Sequence, residues 1–531
     1  MCGIALLLGP SLDPSDHLAF ETMASRIEPR GESLETERTE RALLVTSRLK
    51  IVDRDHAVQP WRPASGHHAL CYNGEVFNFV ALGERLAAGG VALRSHGDTE
   101  VVAEALLEWG ESALLEFRGE FALALVDLAD DSVFLARDPA GVKPLYWART
   151  PGRLYVASEV KALAGLGLPV HEVPPGHCGT GSADRDPELH PYVDLLDLGA
   201  GQPMLASVGA ATDAVHDAVT EAVRRRVDTD LPVGVILSGG LDSSLVATLV
   251  SRLHPDCTAF TVGTAGSEDV EYARRLAADL GMRHEVVEVV PRHVRAAQVR
   301  EAVRVSEATE YGDAINAVVS MEVFAAVHRS GIKVVLTGDG SDELFGGYAM
   351  YQDVDEARTR QLFLHKIGQL SRTELQRVDR TSMGQCVEAR VPFLDLDLLL
   401  LAMRIPVSLK VRDGYEKWVL REAFRADLPD YILARHKNPM SHSSGLHERV
   451  RLYKPWMPRW YRSFGYGVAG PMRRDFSVEL LRAGNDLGAA LASAALQQDY
   501  TPGERARDFA GALRWNLANA RTPGRSSRAG R

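Results

Sequence analysis

Leu231-Pro232-Val233-Gly234-Val235-Ile236-Leu237 runs directly into Ser238-Gly239-Gly240-Leu241-Asp242-Ser243-Ser244, and this junction decides the fold of the larger half of the chain. The first seven residues form an apolar run of strand length. Beyond the glycines, Leu245, Val246, Leu249, Val250 and Leu253 recur at helical spacing. Strand, glycine loop and helix start together aim backbone N–H groups at a phosphate. The loop lacks the Lys-Ser/Thr ending of a Walker motif, so γ-phosphate transfer of the usual kind is not expected. A second loop, Thr337-Gly338-Asp339-Gly340-Ser341-Asp342-Glu343, also follows a β-rich apolar run and precedes Phe345-Gly346-Gly347-Tyr348. Its carboxylates, with Asp242, suit a hard oxygen-binding cation such as Mg²⁺.

From residue 205 onward, helical stretches such as 211–226 alternate with short β-rich runs at 233–237, 258–262 and 333–336. That alternation predicts a parallel sheet flanked by helices. The first 165 or so residues differ: short apolar runs at 4–8, 42–46, 121–127 and 132–136 are broken by turn signals, which predicts stacked sheets with few helices. A Gly-, Pro- and Asp-rich stretch around 177–201 separates the two halves. The expected division is a domain over 2–180, a linker over 181–204, a second domain over 205–510 and a disordered tail over 511–531.

Composition narrows the function. The chain has 531 residues, 45% hydrophobic and 25% charged, with a formal net charge of −11. A polyanionic partner needs a basic face, so nucleic acid is disfavoured and small molecules are the expected clients. No window approaches the ~20 apolar residues of a membrane helix, and the N-terminal residues lack the basic region followed by an apolar core that marks a signal peptide. A cytoplasmic protein is expected. The five cysteines, Cys2, Cys71, Cys178, Cys257 and Cys386, are scattered without a Cys-x-x-Cys pair. Reduced thiols are the expectation.

Cys2 follows the initiator methionine, whose removal would leave a free α-amino group beside the thiol. Such an amine titrates near ~7.7 to 8 and can act as the base for its own nucleophile. Taken alone, a cysteine here would only start the apolar strand at 2–8. Tyr72-Asn73-Gly74-Glu75, however, offers a side-chain amide and a glycine N–H able to hold an oxyanion. Arg48 could grip an α-carboxylate in a two-pronged hydrogen bond, and Glu75 and Asp98 could receive an α-ammonium.

Together with Cys2-Gly3-Ile4, the stretches Arg48-Leu49, Gln59-Pro60, Asn73-Gly74-Glu75, Gly97-Asp98-Thr99-Glu100, Arg137-Asp138, Lys143-Pro144-Leu145-Tyr146 and Ala157-Ser158-Glu159 resemble the class II glutamine amidotransferase domain. The resemblance implies an αββα N-terminal-nucleophile hydrolase sandwich. It also implies Cys2 as nucleophile, Asn73 and Gly74 as oxyanion hole, and Arg48, Glu75 and Asp98 as glutamine ligands. One departure stands at Arg30-Gly31-Glu32, where the family usually has Arg-Gly-Pro.

Residues 205–446 resemble the synthetase domain of asparagine synthetases, an α/β ATP pyrophosphatase fold similar also in β-lactam synthetases. Besides the two loops, the likeness covers Phe260-Thr261-Val262-Gly263, Arg377, Asp379-Arg380, Glu388-Ala389-Arg390-Val391-Pro392-Phe393-Leu394-Asp395 and Glu416-Lys417. It implies that ATP adenylates a carboxylate and an amine then displaces AMP. Asp242 and Asp342 would hold Mg²⁺ and pyrophosphate; Ser238, Gly239, Gly240 and Ser243 would touch phosphates; Leu237, Val262 and Gly338 would line the nucleotide pocket; Lys417 would steady the acyl-adenylate. Asp339 stands where several members carry glutamate, which shortens any general-base reach by one methylene. A homodimer accords with the family.

The acceptor acid stays open. Residues 306–316 and 437–445 depart from asparagine synthetases, so aspartate or a related carboxylic acid is expected. The alternatives are an intramolecular lactam-forming synthetase and a catalytically silent binding protein.

Overall fold

In the computed structural model, which describes residues 1–195, 203–351, 356–436, 446–473, 480, 490 and 502–519, the chain forms two units. The first comprises Met1–Gly201 with Met383–Glu388 and Phe464–Gly470; the second holds the remainder.

The first unit contains eleven strands among its described residues: β1 (Cys2–Leu8), β2 (Ser33–Arg38), β3 (Ala42–Arg48), β4 (His68–Val76), β5 (Gly119–Asp127), β6 (Ser132–Arg137), β7 (Tyr146–Thr150), β8 (Arg153–Ala157), β9 (His171–Glu172), β10 (His177–Ser182) and β11 (Arg185–Pro191). They make two antiparallel sheets, ordered β2-β3-β1-β8-β7-β9 and β11-β10-β6-β5-β4. Helix α1 (Pro14–Ile27) packs on β1 and β3, and α3 (Asp98–Trp109) packs on β4, with α2 (Phe79–Ala88) beside it.

Strand alternation explains the layering, because successive side chains point to opposite faces. On β4, Ala69 and Cys71 enter a core with Ile4, Leu6 and Leu8 of the other sheet, while Leu70 and Tyr72 enter a core with Leu82, Val102 and Leu106 of the helices. Both faces of the strand are covered, so its sequence reads as continuously apolar rather than alternating. The result is the αββα sandwich expected from the sequence.

The second unit is built on the sheet β14-β13-β12-β15-β16, formed by β12 (Val233–Ile236), β13 (Thr258–Gly263), β14 (Arg283–Glu288), β15 (Val334–Leu336) and β16 (Glu388–Arg390). The pairs β12–β13, β13–β14 and β12–β15 are parallel. The chain steps from β12 outward to β14, then returns to the other side of β12 as β15. The strand order therefore reverses between β12 and β15, the point at which open α/β sheets bind ligands. The helix Leu241–Leu253 follows β12, and Tyr311–Arg329 precedes β15. No described helix is long and apolar enough to cross a membrane.

Two segments differ from the sequence expectation. Strands β10 and β11 run from 177 to 191, well into the stretch assigned to the linker. A Cβ at Gly179 would collide with the Glu188 carbonyl, and one at Gly181 would meet Pro187 Cα at 3.0 Å, so the hairpin itself demands the glycines that look like linker. The helix Pro502–Asn519 continues past residue 511, where a tail was expected. Phe509 packs edge-on against Trp456 with ring centroids 5.8 Å apart, Ala512 is buried, and Asn516 Nδ2 donates to the Glu448 carbonyl at 3.0 Å. Residues 520–531 lie outside the described residues, as do 196–202 of the linker.

Lys410 is buried with its ammonium 4.5 Å from the centre of the Phe363 ring. Burial, helped by the Arg360 charge, lowers its pKa from 10.5 to about 7. Between those two values the unfolded chain binds a proton that the folded chain lacks. Wild-type stability therefore falls as pH drops from 10.5 to about 7, and this loss is complete below about 7. Lys410→Met is expected to raise stability by a few kcal/mol below pH 7, with the gain narrowing steadily toward pH 9. Denaturant melts at a series of pH values check this; a pH-independent difference contradicts it.

Candidate active sites

The residues at the ends of the core rows make the first site. Cys2 shares a face of β1 with Ile4, Leu6 and Leu8, and Asn73 shares a face of β4 with Ala69 and Cys71. Packing of those two rows brings the polar end members together: the Cys2 backbone N–H donates to Asn73 Oδ1 at 3.0 Å. Arg48 lies directly across from Cys2 in the β1–β3 ladder. A pocket lined by Cys2, Arg48, Gln59, Gly74, Glu75, Asp98 and Thr99 gathers the remaining residues expected to bind glutamine.

Asn73 is fully buried, and its Nδ2 has no hydrogen-bond partner among the described residues. An unpaired buried amide donor costs roughly 1–3 kcal/mol, a cost that an incoming oxygen atom would remove. Gly74 cannot be replaced: a Cβ would strike the Glu120 carbonyl and lie 2.7 Å from Phe121 Cα on the paired strand. Arg48 is nearly buried, with Nη2 donating to the Asp53 carbonyl at 3.2 Å and Nη1 3.5 Å from Glu35.

Burial pushes the Cys2 thiol up, while the nearby N-terminal ammonium and Arg48 pull it down. That ammonium belongs to Met1 and pairs with Glu388 at 2.6 Å. Burial works to lower its pKa, yet Glu388, with Cys2 and Glu75, outweighs this and raises it. Asp98 is also raised, chiefly by burial, against the opposing hydrogen bonds from Tyr72 Oη at 2.8 Å and the Val76 N–H at 3.1 Å.

Two participants, Tyr72 and Gln59, stand in stretches quoted from the sequence but were given no role there. Tyr72 reaches Asp98 because it sits on the helix-facing side of β4, a face that α3 also supplies. Gln59 accepts from the Tyr72 N–H at 2.9 Å and aims Nε2 at Cys2 Sγ, 3.8 Å away. Strand alternation carries a signal for the first. Nothing in residue spacing marks the second.

The second site lies at the C-terminal ends of β12 and β15. Gly239 has φ +72°, and a Cβ there would lie 2.8 Å from the Ala273 nitrogen; Gly340 has φ +93° and would meet Leu394 at 2.6 Å. Left-handed backbone with no room for a side chain explains both glycines. The first loop is tied internally: Ser243 Oγ accepts from the Ser238 N–H at 3.1 Å and lies 2.9 Å from Ser238 Oγ, while the Gly240 N–H donates to Ser238 Oγ at 3.3 Å. The second loop abuts it, since a Cβ on Gly338 would be 2.9 Å from Asp242 Cβ. Leu237, the residue after β12, and Val262, the penultimate residue of the neighbouring β13, are both buried.

Lys417 joins the two loops. Its Nζ lies 2.5 Å from Asp242 Oδ2 and 2.6 Å from Asp342 Oδ1, and Ser341 Oγ donates to Asp242 Oδ1 at 2.7 Å. Burial alone would lower the lysine pKa, but the two carboxylates outweigh it and raise it. Lys417 occupies left-handed backbone at φ +57°, a conformation that costs a non-glycine residue of order 1–3 kcal/mol. Asp339 stands apart from this cluster: Arg377 Nη2 donates to its Oδ1 at 3.0 Å and Arg377 Nη1 to Ser320 Oγ at 2.8 Å. Arg377 and Ser341 were not assigned roles from sequence. Residues 437–445, one of the two stretches expected near the acceptor, fall outside the described residues.

A family model described as a glutamine amidotransferase domain matches residues 1–174, and one described as asparagine synthase matches 214–361 and 352–498. Asparagine synthetase B [glutamine-hydrolyzing] of Escherichia coli is 32% identical over 433 residues, covering 77% of this chain and 76% of its own. Asparagine synthetase [glutamine-hydrolyzing] 3 of Arabidopsis thaliana is 32% identical over 489 residues, covering 84% and 79%. The corresponding enzyme of Sandersonia aurantiaca is 32% identical over 483 residues, covering 84% and 87%.

Gly347 closes the second site. A Cβ there would overlap Asp342 Oδ1 and Lys417 Cε. Gly347→Ala is expected to displace the lysine and weaken ATP binding at least ten-fold. Gly368→Ala, where a Cβ meets nothing within 4 Å, should leave binding unchanged. Calorimetric titration of both variants decides; equal affinities would separate ATP binding from this cluster.

Proposed function

The chain belongs to the asparagine synthetase family, and on that footing we propose that it hydrolyses glutamine at Cys2 and uses the ammonia to amidate a carboxylic acid that ATP has adenylated. The observation that carries the proposal is the pairing of Cys2 with Asn73, whose amide donor is buried and unpartnered beside the thiol.

In this reading, removal of Met1 turns the Cys2 nitrogen, now an amide donating to Asn73 Oδ1, into the α-amine. The amine takes the thiol proton, and the thiolate attacks the side-chain carbonyl carbon of glutamine. Asn73 Nδ2 and the Gly74 N–H hold the resulting oxyanion. The carbon–nitrogen bond breaks, ammonia leaves with a proton returned by the amine, and water then cleaves the thioester to give glutamate. Arg48 grips the substrate α-carboxylate, and Glu75 and Asp98 its α-ammonium.

At the second site a carboxylate oxygen of the acceptor attacks the α-phosphorus of ATP and pyrophosphate departs. Ammonia then attacks the acyl carbon, AMP leaves, and the amide remains. Ser238, Gly239, Gly240 and Ser243 cradle phosphates, while Leu237, Val262 and Gly338 border the nucleotide. Asp242 and Asp342 supply the hard oxygen donors that suit Mg²⁺, which would neutralise the charge developing on pyrophosphate. Lys417, fixed between the same carboxylates, contributes positive charge to the acyl-adenylate stage.

The acceptor is aspartate or a related acid. Asp339, engaged by Arg377, is a poorer candidate for general base than its position alone implies. A lactam-forming synthetase needs no glutaminase, so the assembled Cys2 pocket favours the ammonia-releasing reading.

Cys2→Ala is expected to abolish glutamine-dependent amidation and to leave amidation with added ammonium salt intact, measured as AMP and pyrophosphate release across a panel of acids. Loss of the ammonium-dependent reaction as well would show that the two sites are not separable. N-terminal sequencing of active enzyme should begin at Cys2; full glutaminase activity in a chain retaining Met1 contradicts the role of the α-amine.

A further inference from the structure

Glu111, Cys178 and His190 converge on the surface of the first unit, on the strands and turn at the edge of the five-stranded sheet. Cys178 on β10 and His190 on the edge strand β11 are directly opposed in the ladder, so their side chains leave the same face. Glu111 comes from the single turn Gly110–Ser112 that follows α3. Cys178 Sγ lies 3.6 Å from His190 Nε2, and His190 Nε2 lies 3.0 Å from Glu111 Oε2. One ligand atom from each residue falls within 4.8 Å of the other two.

A tetrahedral ion with sulphur at ~2.3 Å and nitrogen and oxygen at ~2.0–2.1 Å separates its ligand atoms by roughly 3.3–3.6 Å. The Cys178–His190 spacing of 3.6 Å already falls in that range, and the His190–Glu111 spacing of 3.0 Å needs to open by a few tenths of an ångström. A thiol, an imidazole and a carboxylate are a mixed soft and hard donor set that suits Zn²⁺ or Co²⁺, whereas Mg²⁺ and Ca²⁺ take oxygen ligands. The side chains of Glu111 and His190 are 51% exposed, which leaves an entry path and a fourth position for water, while Cys178 closes the inner side.

We propose that Glu111, Cys178 and His190 bind a divalent transition-metal ion of the Zn²⁺ class, which fastens the edge strand β11 to the turn after α3. Binding forms a sulphur–metal bond and breaks the Cys178 S–H bond, with the proton passing to the buffer and no electrons transferred. The rival description is a surface His190–Glu111 ion pair with a thiol beside it, which holds no metal.

The full-length protein, stripped with chelator and titrated with Co²⁺ alone, distinguishes them. One equivalent is expected to produce a thiolate-to-cobalt charge-transfer band together with the visible bands of a tetrahedral ion, both abolished by Zn²⁺. The bands should be absent in Cys178→Ser and His190→Ala, at least about ten-fold weaker in Glu111→Gln, and unchanged in Cys2→Ala. Zn²⁺ should raise the melting temperature of the wild type and not of His190→Ala. Absence of a thiolate band in the wild type, or its survival in His190→Ala, overturns the proposal. Because Glu111 and His190 are half exposed, their variants fold and carry the test even if Cys178→Ser does not.

Discussion

Face-to-face packing of Ile4, Leu6 and Leu8 against Ala69, Cys71, Ala122 and Ala124 governs the first unit. Each leucine or isoleucine buried there contributes about 1.5–3 kcal/mol. The same rows determine where chemistry can occur, since Cys2 and Asn73 are their end members. A slip of one residue in β1 would turn Gly3, Ala5 and Leu7 inward and swing Cys2 to the α1 face, so register is held by the core and inherited by the site. The small partners on β4 and β5 let the sheets approach closely; the large residues of those strands, Leu70, Tyr72 and Leu123, face the helices instead.

The second unit depends on a different constraint, the reversal of strand order at β12. Parallel strands send every following loop to the same edge of the sheet, and the reversal leaves two such loops side by side without a helix between them. Close approach then dictates composition. Gly239, Gly338 and Gly340 each stand where a Cβ would meet a neighbouring residue, and two of the three have positive φ. Two acidic loops this near one another need a counter-charge, and Lys417 supplies it from 175 residues beyond Asp242.

The sequence was most legible where backbone geometry restricts residue type. Both phosphate-loop candidates, the strand entering each and the parallel sheet could be read from glycines and apolar runs, because few other residues satisfy those positions. The grouping of Cys2, Asn73 and Gly74 was legible by resemblance and by the chemistry of an amine beside a thiol. Composition misled at the β10–β11 hairpin, where glycines required by cross-strand contact looked like linker, and at 511–519, where burial of Ala512 and the Phe509–Trp456 contact extend a helix that local sequence did not announce. Tyr72, Gln59 and Arg377 stood in quoted stretches, yet their roles were missed for another reason. Each acts through a partner distant in sequence, and the contact exists only once the sheets and helices are assembled.

Lys417 shows how backbone strain and charge are coupled in the second site. A buried ammonium between two carboxylates is stabilised only while both remain in place, since desolvation of three charges opposes it. With one positive and two negative groups, the cluster keeps a formal net charge of −1. The left-handed backbone at Lys417 places the start of the helix Trp418–Ala423 immediately after it and turns the side chain toward the loops. Strain of this kind persists only where surrounding contacts over-determine it. Here they do: Arg421, one turn along that helix, donates to the Glu416 carbonyl at 2.8 Å and to its carboxylate at 2.7 Å, holding the residue before Lys417 in position. The lysine therefore reaches the two loops as a fixed charge rather than a mobile one, and in the reaction proposed above a charge already in place is the form of electrostatic stabilisation that costs least reorganisation.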